Sequence, residues 1–110
     1  MVIKLEYGDL EISLKALKKL AYIATLQSYG PVKIDSESFF GKLFGEKEEE
    51  RIKVEELENG KIVVDIYIEV EYGVKVTEVA KNIMESVSHV MRNIGGYEDV
   101  EVNVHVTGVR

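Results

Sequence analysis

The sequence predicts an α+β fold: a two-layer sandwich in the order βαββαβ, with one mixed sheet and both helices on a single face. Three observations carry this expectation. Residues 61–72 and 100–109 alternate apolar and polar side chains with a period of two, as half-buried strands do. Residues 14–27 and the stretch from Thr77 to Ile94 instead repeat their apolar residues with helical spacing. Single-striped helices and a sheet with one apolar face satisfy each other as two layers. Should the first strand stay outside the sheet, the alternative is a KH-like order, αββαβ.

Each element has its own signals. Ile3, Leu5 and Tyr7 alternate with Lys4 and Glu6, which predicts a strand over 2–7 and a turn at Gly8-Asp9. Ser13 is placed to cap the first helix, accepting from free amides of its first turn. That helix sets Leu17, Leu20, Ala21 and Ala24 on one stripe, with Lys15, Lys18, Lys19, Tyr22 and Thr25 opposite. Gly30-Pro31 ends the unit, because proline lacks the donor a helix needs. Residues 32–51 are irregular: one or two helical turns around Phe39, Phe40, Leu43 and Phe44, then a charge run from Glu46 to Arg51.

Strands at Ile52–Leu57 and Lys61–Tyr72 flank Asn59-Gly60. A two-residue loop would put Ile52 and Val54 on the face opposite Ile62, Val64 and Ile66. A three-residue Glu58-Asn59-Gly60 loop pairs Val54 with Val64 and Ile52 with Ile66, and so aligns the apolar face. It requires Gly60 in a left-handed bulge. Thr77 is the expected cap of the last helix, whose apolar arc runs Val79, Ala80, Ile83, Met84, Val87, Val90, Met91, Ile94. Gly95-Gly96 stops it, and the final strand sets Val100, Val102, Val104 and Val106 against Glu101, Asn103, His105 and Thr107.

At 110 residues the chain reads as one domain, 1–110. It has no cysteine, which leaves no disulfide framework and no thiolate chemistry. Charges interrupt the N-terminal apolar run, and no stretch approaches the roughly 20 apolar residues that span a bilayer. A soluble, cytoplasmic protein without direct membrane insertion is expected. A net charge of -6 argues against nucleic acid, since phosphate binding rests on clustered Lys and Arg.

The search for chemistry gives no catalytic, cofactor-binding or metal-binding residue. His89 and His105 are the only imidazoles, each on a polar face and without a second ligand at helical spacing. Gly95-Gly96 lacks the context of a phosphate loop and the Gly-x-x-Gly of a KH clamp. Glu69, Glu71 and Glu48 to Glu50 lie on exposed strand or loop positions rather than in the apolar pocket that tunes a general acid. The feature that stands out is aromatic. Phe39, Phe40 and Phe44, with Leu43, crowd one short segment, and Tyr67 sits on the polar face of the long strand. Core packing and an anchor for a partner are both open readings for the phenylalanine cluster.

Tyr72-Gly73-Val74, Glu78-Val79-Ala80 and Val102-Asn103-Val104-His105-Val106-Thr107-Gly108-Val109, in that order, resemble the alkaline shock protein family of small bacterial proteins. Gly30-Pro31-Val32 and Gly95-Gly96-Tyr97 depart from its usual wording. The resemblance implies a non-catalytic protein of cell-envelope homeostasis or stress response, self-associating and brought to the inner face of the membrane by an anchored partner. The expected function is therefore an interaction or scaffold protein. The alternatives are a small-ligand or regulatory module linked to lipid metabolism and, third, RNA binding by fold analogy. The candidate interaction residues are Phe39, Phe40, Leu43, Phe44 and Tyr67.

Overall fold

A computed structural model describes residues 2–28 and 51–109. In chain order the elements are β1 (Val2–Leu5), β2 (Gly8–Glu11), α1 (Leu14–Gln27), β3 (Ile52–Glu56), β4 (Ile62–Val70), α2 (Val76–Asn93) and β5 (Val100–Val109). The fold is α+β, and its main sheet is mixed. β4 is central, pairing antiparallel with β3 and parallel with β5.

Val54 pairs with Val64 and Ile52 with Ile66, the register of the three-residue loop. Gly60 has φ +84°, and the loop is closed by Leu57 N–H to the Lys61 carbonyl at 2.8 Å and Gly60 N–H to the Leu57 carbonyl at 2.9 Å. On β4, Ile62, Val64, Ile66, Ile68 and Val70 are buried, while the residues between them are half-buried. That apolar face receives both helices, through Leu17, Ala21 and Ala24 of α1 and Ile83, Val87 and Met91 of α2. Of the edge-strand valines expected in the core, Val102 and Val104 are only half-buried, as is Val90 of α2.

Several local expectations are corrected. The first strand is a hairpin: Glu6 and Tyr7 form the turn, and Gly8 opens β2 instead of turning the chain. This hairpin is a sheet of its own, so the main sheet has three strands. Its residues offer no continuous apolar face for a sheet to bury, and only Ile3 among the eight strand residues is half-buried. On α1, Tyr22 and Thr25 are buried although spacing put them on the solvated arc. α1 packs on α2 as well as on β3, which widens the stripe it must bury. The Thr25 hydroxyl donates to the Ala21 carbonyl at 2.7 Å, so its burial leaves no donor unsatisfied.

At its own start, α1 is capped as expected, with Ser13 Oγ accepting from Ala16 N–H at 3.1 Å. α2 begins one residue before Thr77, and its cap position is Lys75, with no side-chain capping bond. At the other end Ile94 is 62% exposed. The chain reverses through Gly96 at φ +76°, and Tyr97, 4% exposed, takes the place in the core expected for Ile94.

Candidate functional site

The parallel pairing of β4 with β5 puts polar residues of distant sequence side by side on the face that, among the described residues, carries no helix. Asp65 pairs with Asn103, Tyr67 with His105 and Val63 with Glu101. β3 extends the rows, since Lys53 pairs with Asp65 and Glu55 with Val63.

The side chains bond along these rows and between them. His105 stacks on Tyr67 with ring centroids 4.4 Å apart and planes within 14°. Its Nε2 donates to Asp65 Oδ1 at 2.9 Å, which fixes the ring's tilt and position. Asn103 Nδ2 donates to the same Asp65 oxygen at 3.2 Å and to Glu101 Oε2 at 3.1 Å. Lys61 Nζ reaches Glu101 Oε1 at 3.3 Å. The Asn103 amide first, and Lys61 second, hold the Glu101 carboxyl below the usual carboxylate range. Lys53 Nζ lies 5.5 Å from the Tyr67 ring centroid, a cation over an aromatic face. From just before β3, Arg51 Nη1 donates to Thr107 Oγ1 on β5 at 3.0 Å. Thr107 Oγ1 in turn donates to the Ile68 carbonyl at 3.3 Å.

The result is a bonded platform with a stacked aromatic pair at its middle and cations on the β3 side. Its acids and its imidazole are partly solvated: the side chains of His105 and Asp65 are 43% and 30% exposed. Such groups lack the water-excluded setting that general acid-base chemistry uses. Among the described residues no three His, Cys, Asp or Glu are grouped to hold a metal ion. His89 lies on α2 beside Asn93, whose amide donates to the His89 carbonyl at 3.0 Å. Among the described residues no helix is long and apolar enough to cross a membrane. A shallow cleft of about 300 Å³ lies elsewhere, against Leu5, Tyr7, Gly8, Asp9 and Leu10 of the hairpin.

Of the residues singled out from sequence, Tyr67 is on this platform. Phe39, Phe40, Leu43 and Phe44 lie outside the described residues. Sequence reasoning passed over His105, which it read as an isolated surface imidazole, and gave no role to Arg51, Lys53, Asp65, Asn103 or Thr107. The signal was present in the polar phases of 61–71 and 101–107. It becomes readable once those strands are laid parallel in the register that aligns Val64 with Val102.

Comparison with known proteins adds a lineage. The chain is 31% identical over 112 residues to the uncharacterized protein YloU of Bacillus subtilis, covering 98% of this chain and 93% of the relative. It is 28% identical over 102 residues to the uncharacterized protein Spy1535 of Streptococcus pyogenes, covering 93% and 79%. A second Bacillus subtilis protein, the uncharacterized YqhY, is 26% identical over 106 residues, covering 94% and 78%. No solved structure matches significantly. The profile of the ASP23 family, described as having a cell envelope-related function, matches residues 3–110. The chain therefore belongs to that family, the alkaline shock family its strand and turn residues resemble.

Proposed function

We propose that this protein is a non-catalytic interaction module of the cell envelope, which associates with itself and docks a membrane-anchored protein partner through its three-stranded sheet. One observation carries the reading. The polar side chains of the open face are bonded to one another between β4 and β5, with Lys53 of β3 over the Tyr67 ring and Arg51 reaching Thr107 from just before β3. A rigid, half-exposed aromatic pair loses little conformational freedom on docking, and tyrosine is enriched at interfaces for this reason. The family's envelope-related description supports the setting.

Light scattering on the purified protein over a concentration series is the test. Mass above that of the 12.4 kDa monomer, rising with concentration, is the expected outcome. Tyr67→Ala should reduce recovery of the protein with the membrane fraction of a native lysate, while the variant still unfolds in one cooperative thermal transition. A chain that stays monomeric to millimolar concentration would remove self-association from this reading.

A further inference from the structure

We infer that the outer edge of β5 is the self-association surface, and that it takes a second copy of the same strand, antiparallel, about a two-fold axis at Asn103. This rests on the self-association reading above and deepens it to a surface and a register.

The orientation of the edge follows from one bond. Ile62 N–H donates to the Asp99 carbonyl at 3.0 Å. In a parallel ladder this alternation turns the backbone groups of Glu101, Asn103 and His105 inward to β4. Those of Val100, Val102, Val104 and Val106 then point outward. Among the described residues no strand pairs with that edge.

The edge also lacks the usual defences. Edge strands commonly carry lysine, proline or bulges that discourage pairing. From Val100 to Val106 there is no lysine or proline, and the register shift falls beyond, between Ile68 and Glu69 on the partner strand. The opposite edge, β3, is only five residues long, carries Lys53, and has α1 packed against it. Apolar cover is incomplete at β5 as well. Val106 is 38% exposed, whereas Val64 and Ile66 of the central strand are 0% exposed.

The register is fixed by the strand's own pattern. The regular stretch runs from Val100, opposite Ile62, to Val106, opposite Ile68, and its midpoint is Asn103. Pairing two copies about that midpoint sets Val102 against Val104 and Val100 against Val106 as hydrogen-bonded pairs. Glu101 then faces His105, twice by symmetry, and Asn103 faces Asn103. These fall at non-hydrogen-bonded positions, where opposing side chains are closest. Shifting the centre by one residue, to Val104 or Val102, sets Glu101 against Thr107 or Asn103 and loses both acid–imidazole pairs. Charge complementarity and strand length select the same register.

Because the native chain has no cysteine, single-cysteine variants read the register directly. Asn103→Cys, Glu101→Cys and His105→Cys are each oxidised mildly and run without reductant. Asn103→Cys should give a covalent dimer, since its symmetry mate lies within the Cα separation a disulfide needs. Glu101→Cys and His105→Cys should each remain monomeric alone, their mates lying ~14 Å away at about 3.4 Å per residue. An equimolar mixture of those two variants should form a cross-linked heterodimer. Thermal melts of each variant establish that all three are folded. If the wild type associates in light scattering but Asn103→Cys cross-links no better than Glu101→Cys and His105→Cys, the β5 edge is overturned while self-association stands. A wild type that never associates overturns both, and would leave the edge to a partner of another kind.

Discussion

At the scale of single residues, Tyr97 is the position where the fold tolerates a deficit. Its ring is 4% exposed and packs beside Gly95, yet among the described residues its hydroxyl makes no close hydrogen bond and has only a weak one toward the Glu56 carboxylate. Burial first, and the negative charge of Glu56 second, push its pKa up to about 12. Tyr97→Phe removes a poorly satisfied buried polar atom and keeps the ring. It should therefore be neutral or stabilising, by up to about 1–3 kcal/mol. The pH dependence gives a second readout. An unfolded chain releases the Tyr97 proton near pH 10, and the folded chain holds it to about 12. Below pH 10 both states are protonated and the contribution is complete. Between about 10 and 12 the folded state binds the extra proton, so stability falls as pH rises. Chemical denaturation across that window should show a shallower loss in the phenylalanine variant.

At the scale of elements, the β3–β4 turn carries the most consequential register in the molecule, because a one-residue slip would move an entire apolar row to the open face. Gly60 meets nothing within 4 Å of where a Cβ would stand, so the cost of Gly60→Ala is purely conformational. At φ +84° that cost should be about 1–2 kcal/mol, with Asn in its place costing less. Exposed Glu58, in the same loop, should accept alanine within about 0.5 kcal/mol. Urea titrations of the three variants check this ordering. This turn was legible in the sequence because the apolar alternation on both sides allowed only one loop length to align the rows. The end of α2 was less so. Ile94 continues the helical phase of Val87 and Met91, but phase says nothing about where the chain reverses. The reversal at Gly96 is what leaves Ile94 outside and brings Tyr97 in. The platform was hidden for a related reason. Each strand's polar face looks like an ordinary solvated face alone, and His105 meets Asp65 only through a pairing of residues forty apart.

At the scale of the whole molecule, what remains is how the N-terminal hairpin relates to the sandwich. Val2, Leu5, Tyr7 and Leu10 are all exposed, Tyr7 by 95%. Ile3 is the half-buried exception, and its Cδ1 lies beside Gly96 at the α2 reversal. Ile12 packs against the core but lies beyond the hairpin, just before α1. Removing residues 1–11 therefore takes away the burial of about one isoleucine, and full burial of such a side chain is worth about 1.5–3 kcal/mol. That range is an upper bound for a residue only half-buried. The truncated chain should unfold in one cooperative urea transition with a lower midpoint, and its α1 cap at Ser13 should be unaffected. It should also associate in light scattering as the full chain does, since β5 and the platform are left whole. Loss of the cooperative transition would make the hairpin part of the folding unit. A truncated chain that folds normally but no longer associates would move the contact from the sheet to the exposed apolar residues of β1 and β2.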